Sequence, residues 1–448
     1  MKTAGIIAEY NPFHNGHLYQ IEQVRKQTGA DYIVVVMSGD FVQRGEPAIF
    51  DKYTRTHMAL ASGADLVLEL PVSFATSSAE LFAQGAVSLF NQTGIIDFLC
   101  FGSESGSINE LSSAANILVR EPDEYTRHLR AFLKEGKSFP NARSLAMRAY
   151  LESQTSLSEV VPGLSAPSSL DRFSSIHASS ALAPELPLSS PNDILGVEYL
   201  KALIRTESSI KPFTIRREGQ HYNDETNPEV LNKRFPSASA LRSLIREADL
   251  TAELLSKLSP WIPFSALDAM SKEDAVRTPI FADDFSLLLN SRLLELTRRQ
   301  IPFERFADLS PELASRLYAS MLTFDSYSGR IASLKSRQYT YTRISRALLH
   351  LLLGIDAEIM EERKKSGHLP YARILGFRKS ASPLLSQLKA QSSVPSITKI
   401  AGADANLNET GKQMLSEELS ASHLYQSVVF QKGRKMKNEY TRSLVILP

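Results

Sequence analysis

A single cysteine, Cys100, stands in 448 residues. It excludes an internal disulfide and any cysteine-based zinc cluster, so a reducing, cytoplasmic setting follows as the default. Long apolar runs are missing too. The longest, residues 32–37 and 347–355, fall well short of the roughly 18 residues that a membrane-spanning helix needs, and they read as a buried strand and a core helix. No membrane partner is expected. The opening stretch MKTAGIIAEYNPFHNGH has one lysine and only a brief apolar segment, which does not fit a signal peptide. With 43% hydrophobic and 22% charged residues, a wholly disordered chain, a coiled coil and a collagen-like repeat are excluded. The length exceeds what one hydrophobic core serves, which implies two or three domains.

The net charge of +1 conceals an uneven distribution. Residues 331–448 hold 18 Lys and Arg against 9 Asp and Glu, while the first 330 hold 32 against 40. A basic C-terminal quarter is the electrostatic footprint of a nucleic-acid partner. Basic residues that only solvate helix faces would leave the same count.

The first hundred residues alternate strand and helix. Residues 3–8 form a short apolar strand, followed by a Pro/Gly-punctuated loop over 10–16 and a helix over 17–28. Residues 31–37 (DYIVVVM) have the pattern of a strand covered on both faces. A helix at 52–62, a strand at 65–70, a helix at 78–91 and a strand at 98–101 repeat the order, which predicts an α/β fold with a parallel sheet and right-handed crossovers. Ligands in such folds sit beyond the carboxyl ends of the strands, where loops 9–16, 38–46 and 102–106 begin. Residues 152–191 break the alternation with 12 Ser and 5 Pro and read as a surface insertion, partly disordered. Helices at 192–204 and 237–248 flank a strand at 212–217. Beyond residue 251 strand signals fade, and segments 287–299, 312–324, 345–353 and 383–390 predict a mainly α-helical C-terminal region.

The sharpest motif is EYNPFHNGH, residues 9–17, directly after the first strand. Its core, His14-Asn15-Gly16-His17, opens a helix. Gly16 allows close approach of a ligand to the backbone, and the helix start offers free N–H groups and a positive dipole end. Two imidazoles separated by two residues can flank one phosphate and donate hydrogen bonds as charge builds on a phosphoryl oxygen. The competing reading is a loop whose histidines only cap the helix.

His-x-Gly-His in this position resembles the adenylyl-transferring superfamily of class I aminoacyl-tRNA synthetases and small nucleotidyltransferases. Ser237-Ala238-Ser239-Ala240-Leu241-Arg242 looks like the second, Ser/Thr-rich motif of that superfamily, although a serine N-cap accounts for it equally. The runs GIIAEYNPFHNGHLYQ, SGDFVQRGEPAIFDKYTRTHMALASGADLVLELPV, FGSE, PNDILG and TIRREGQHYND then resemble, in order, the bacterial tRNA(Met) cytidine acetate ligase family. A weaker likeness continues in PYARILGF at 370–377. The chief departure is the Ser/Pro-rich segment, which interrupts no motif.

That resemblance implies an enzyme that activates acetate with ATP, accompanied by Mg2+, and acetylates the wobble cytidine of elongator tRNA(Met). It implies a Rossmann-like nucleotidyltransferase domain over 1–249, carrying the 152–191 insertion, and a helical, basic tRNA-binding region over 250–448. His14 and His17 would be catalytic. The ATP loop maps to Ile7, Ala8, Glu9, Tyr10, Asn11, Pro12, Phe13, His14, Asn15, Gly16, His17, Leu18, Tyr19 and Gln20, with further contacts at Gly102, Asn192 and Arg217. No protein metal ligand and no zinc are implied.

The residues suit that chemistry. Attack of acetate on the α-phosphorus would expel pyrophosphate and leave acetyl-adenylate, from which the cytidine amine displaces AMP. Such a route needs donors and positive charge around phosphates, and no protein nucleophile. Asn192 either caps its own helix or contacts ATP. Arg216 and Arg217 lie on opposite strand faces, so one of them reaches the site. Asp40 either holds magnesium through water or caps a loop, and Lys52 and Arg55 either meet phosphate or face solvent. Segments 335–343, 363–379 and 432–437 interleave cations with aromatics, as phosphate contact plus base stacking requires. The alternatives are a small-molecule adenylyltransferase and a non-catalytic RNA-binding protein on a decayed nucleotidyltransferase fold.

Overall fold

A computed structural model describes residues 1–160, 190–217, 236–247, 251–271, 279–336 and 338–448. The strands are β1 (Thr3–Ala8), β2 (Tyr32–Ser38), β3 (Phe41–Val42), β4 (Glu46–Pro47), β5 (Leu66–Leu70), β6 (Phe98–Ser103), β7 (Lys211–Arg216), β8 (Ala372–Arg378), β9 (Ser396–Ile397) and β10 (Val445–Leu447). Eight of them make one sheet, ordered β10-β8-β5-β2-β1-β6-β7 with β9 on β8, while β3 and β4 pair as a separate antiparallel hairpin.

Strands β5, β2, β1, β6 and β7 are mutually parallel, as the strand–helix alternation predicts. Alternation within β2 explains its central place. Val34 and Val36 pack into one core layer, and Ile33, Val35 and Met37 into the other, all fully buried. Each strand therefore supplies apolar side chains to two layers of helices.

The other half of the sheet has no counterpart in the alternation pattern. Strand β8 pairs antiparallel with β5, and β9 and β10 run parallel to β8. Residues far along the helical half thus complete the sheet edge that the first hundred residues leave open. The rest of that half is helical. Helices Ser286–Arg298, Pro311–Ser320, Tyr327–Leu334, Tyr341–Leu353 and Glu409–Gln431 enclose a third core, which also takes in Phe41 from β3.

Helix Phe139–Val160 runs into the Ser/Pro-rich segment, and helix Pro191–Arg205 begins at its far end. Residues 161–189 lie outside the described residues, as do 218–235, which take in most of REGQHYND, and 248–250 at the expected domain boundary.

Candidate active site

The end of β1 leads straight into the His-x-Gly-His loop. His14 is extended, at φ −145° and ψ 173°, and is the N-cap of helix Asn15–Thr28. Its Nδ1 accepts the Gly16 N–H at 3.0 Å, and its own N–H donates to Nδ1 of His17 at 3.3 Å. The two rings stack with centroids 3.8 Å apart, and Tyr10 and Phe13 back His17 at 4.9 and 5.5 Å.

This reciprocal capping decides the chemistry of the rings. Both Nδ1 atoms accept, so a neutral ring must carry its proton on Nε2. Burial, reinforced by Arg217 and Arg242, pushes the His14 pKa down to about 3. Burial, His14 and Arg217 hold His17 well below the usual histidine range. Two neutral imidazoles therefore each offer one fixed Nε2–H donor. The capping contacts fix which nitrogen of each ring is left to donate.

One expectation is corrected. The first N–H groups of the helix are not free for a ligand. Asn15 N–H donates to Trp261 O at 2.7 Å, Gly16 N–H is held by His14, and His17 N–H donates to His14 O at 2.9 Å. The Asn15 amide is also committed, donating to Pro260 O at 2.9 Å. Donors for a phosphate come from side chains.

Positive charge arrives from two later segments. Arg217 follows β7, its N–H bonded to Ser103 O at 2.9 Å, and it lies close enough to disfavour protonation of both imidazoles. Arg216 points the other way, against Gly106, as strand alternation requires. The lack of a side chain at Gly102 serves Arg217. A Cβ there would stand 3.2 Å from Arg217 Cγ, so the glycine seats an arginine stem. Burial lowers the Arg217 pKa and Glu104, two residues on, partly offsets this; Glu104 also accepts from the Asn192 amide at 2.5 Å and from Asp193 N–H at 3.1 Å. Asn192 is thereby linked to the arginine side of the site through Glu104.

The Ser-rich motif reaches the same place. Ser237 caps helix Ala238–Glu247 by accepting Ala240 N–H at 3.2 Å. Ser239 Oγ accepts from Arg242 at 3.0 Å and from Arg44 at 3.2 Å, and Arg242 donates to Asn11 O at 2.9 Å. Around the loop, Glu9 accepts Gln43 N–H at 2.9 Å and Asn11 Oδ1 accepts Ile49 N–H at 2.8 Å. Arg44 and Glu104 are site residues that sequence reasoning does not single out. They fall within QRGEP and FGSE, where nothing local distinguishes them from surface charges.

Lys52 and Arg55 neither meet phosphate nor face solvent. Both are fully buried. Lys52 Nζ lies 2.8 Å from Glu69, 3.3 Å from Glu439 and 3.5 Å from Glu418, and donates to Ser422 at 2.6 Å. Arg373 joins the cluster at 2.7 Å from Glu69 and also pairs with Glu439. Asp40 borders it, with Oδ1 accepting the Lys52 main-chain N–H at 2.9 Å and Oδ2 lying 3.9 Å from Lys52 Nζ without a hydrogen bond. Among the described residues no group of three His, Cys, Asp or Glu could hold a metal ion.

On the basic side, Tyr339 is buried and bonds to Ser310 at 2.6 Å, with Arg343 over its ring at 5.0 Å, while Tyr341 is exposed. Tyr371 is also buried, which removes it as a stacking platform. Lys432 pairs with Asp284 at 2.6 Å, and Phe430, Met436 and Tyr440 are exposed. No helix among the described residues is long and apolar enough to cross a membrane.

Known proteins are similar to this chain over its whole length. The HIGH nucleotidyl transferase family matches residues 1–441. The tRNA(Met) cytidine acetate ligases of Acetivibrio thermocellus and Clostridium acetobutylicum are each 38% identical to this chain, with 100% of both chains covered. Among solved structures, Thermotoga maritima TmcAL bound with alpha-thio ATP superposes with a TM-score of 0.82 at 30% identity, covering 100% of each chain. The apo form of the same protein gives a TM-score of 0.84 at 31% identity.

Proposed function

The chain belongs to the tRNA(Met) cytidine acetate ligases among the HIGH nucleotidyl transferases, and from that membership we propose that it is an ATP-dependent ligase acetylating the wobble cytidine of elongator tRNA(Met) by way of acetyl-adenylate. In the first step a carboxylate oxygen of acetate bonds to the α-phosphorus, the bond from that phosphorus to the bridging oxygen breaks, and pyrophosphate leaves with the electron pair. In the second the N4 amine attacks the acetyl carbonyl, AMP departs, and the amine gives up one proton. The product is N4-acetylcytidine.

The convergence of His14, His17, Arg217 and Arg242 at the end of β1 carries this reading. Two fixed Nε2–H donors and two guanidinium groups suit a triphosphate whose charge moves toward the leaving pyrophosphate, and a donor already in place does not have to reorganise as charge develops. Ile7–Gln20, Gly102, Asn192 and Arg217 are read as the ATP site, with His14 and His17 as its catalytic pair. Magnesium supplies charge neutralisation on the phosphates when ATP brings it.

The basic region 331–448 is read as the tRNA side, with Lys335, Arg343, Tyr341 and the 432–437 segment as its contacts, and the cytoplasm as the setting. Incubation with ATP, labelled acetate and total bacterial tRNA should place label in acetylcytidine only when ATP is present. No label, with ATP still bound, would turn the reading to a small-molecule adenylyltransferase.

A further inference from the structure

Arg55 takes no part in that chemistry, yet it is among the largest fully buried side chains of the protein. It sits one turn into helix Lys52–Ala61 and aims its guanidinium at the carboxyl ends of the two central strands. Nε donates to Phe50 O at 2.9 Å. Nη1 donates to Glu9 O at 2.6 Å and to Ser38 O at 3.0 Å, and Nη2 donates to Gly39 O. All of these partners are main-chain oxygens.

Burying a guanidinium costs several kcal/mol unless its surroundings satisfy it, and a carboxylate is the ordinary partner. Here four carbonyls take that part, drawn from three stretches of chain, two of which lie just past Ala8 and Met37, the last residues paired between β1 and β2. Glu9 follows β1 and opens the His-x-Gly-His loop. Ser38 ends β2 and Gly39 follows it. Phe50 precedes the helix that bears Arg55. A planar fork with five fixed donors can set the spacing of these carbonyls; a lysine ammonium on a flexible stem cannot.

Downstream of Glu9, the loop is tied by Asn11 to Ile49 and to Arg242, and five residues after Glu9 stands His14. The position of Nε2 on both imidazoles therefore depends on where the end of β1 is held.

We propose that Arg55 is a positioning residue for the first chemical step: its fork fixes the end of β1 against the end of β2, and so sets where the imidazoles of His14 and His17 meet the phosphates. This rests on the ligase reading. Arg55 touches no substrate in this role; it acts through the backbone.

The test compares the full-length wild type with Arg55→Lys and Arg55→Met, using acetate-dependent exchange of labelled pyrophosphate into ATP for turnover and ATP-induced thermal protection for binding. Since misplacing reacting groups by 1 Å costs about 100-fold, both variants should lose about 100-fold in turnover. Their ATP dissociation constants should stay within about threefold of wild type, because the fork matters for alignment and not for ground-state affinity. Lysine keeps the charge, so an equal loss in both variants marks the fork as the cause.

A lysine variant at wild-type turnover would overturn the proposal. So would ATP affinity falling in step with turnover, or failure of both variants to fold, since either assigns Arg55 to the fold alone. Absence of exchange in the wild type itself would instead count against the ligase reading.

Discussion

Replacing His14 by Asn separates the capping role of this residue from its buried imidazole. Asparagine is a favourable N-cap, and its Oδ1 can accept the Gly16 N–H as Nδ1 does now. What disappears is a titratable ring that is only 6% exposed. In the folded protein that ring has a pKa of about 3 against 6.5 for the free side chain, lowered by burial and then by Arg217 and Arg242. The sign follows from which state takes the proton. Below about 6.5 the unfolded chain protonates His14 and the folded chain does not, so stability is full above that pH and is lost as pH falls toward the folded value. Between about pH 7.5 and 5.5 the loss is about 1.4 kcal/mol for this one ring. Urea unfolding of wild type and His14→Asn, without ATP, at both pH values provides the assay, because titrating groups other than its neighbour His17 cancel in the difference. The wild type should lose about 1.4 kcal/mol more than the variant. Parallel pH dependence in the two proteins would refute a buried neutral His14, and with it the assignment of Nε2–H as a fixed donor. At the higher pH the same variant should lose roughly 10²–10³-fold in acetate-dependent exchange, the range for deleting one preorganised transition-state donor.

Gly102→Ala places a Cβ about 3.2 Å from Arg217 Cγ; displacement of the arginine should raise the KM for ATP several-fold, roughly 1 kcal/mol, with little change in melting temperature. Lys52→Met leaves Glu69 and Glu439 without their ammonium and should cost about 3–5 kcal/mol by denaturant unfolding. Glu418→Gln should cost less, because burial and the neighbouring Glu69 push the Glu418 pKa up and favour its neutral form. Reversing charge at Lys335 and Arg343 should weaken tRNA binding and lower the log–log salt slope by about 0.7–0.9 for each phosphate no longer neutralised, while pyrophosphate exchange continues at its wild-type rate. Loss of exchange in that variant would mean these residues support the fold.

What can be read from the sequence is whatever repeats at short range. The two-faced apolar pattern of β2 and the His-x-Gly-His spacing need only neighbours along the chain, and in the structure the strand is central and the motif opens a helix. Strand β8 is hidden because its partner β5 lies some 300 residues earlier, and its seven residues, ARILGFR, sit between helical segments. The fate of Lys52 is hidden for the same reason. Its partners Glu69, Glu418, Ser422 and Glu439 are scattered from one end of the chain to the other, and a lysine is ordinarily a surface residue. The helix start looks open to an anion because no local signal announces that Trp261 O and Pro260 O cover it.

Those long-range contacts bear on whether the first half can stand alone. The helical half supplies β8 against β5, Arg373, Glu418 and Glu439 to the buried ion cluster, and the carbonyls that hold Asn15. It also packs Arg346 against Gly45, whose φ of +78° and lack of a Cβ permit that approach. A fragment ending at residue 249 would expose the whole edge of β5 as an open pairing template. It would also leave Lys52 and Glu69 in a half-emptied cluster. Breaking one buried pair costs about 3–5 kcal/mol, so two such losses remove about 6–10 kcal/mol from a total domain stability of about 5–15 kcal/mol. The fragment 1–249 should therefore show no cooperative melt and no protection by ATP, whereas the full chain shows both. A fragment that melts cooperatively and is stabilised by ATP would show that the sheet closes without β8. The basic half would then be a module that delivers RNA, and the geometry of the ATP loop would not depend on it.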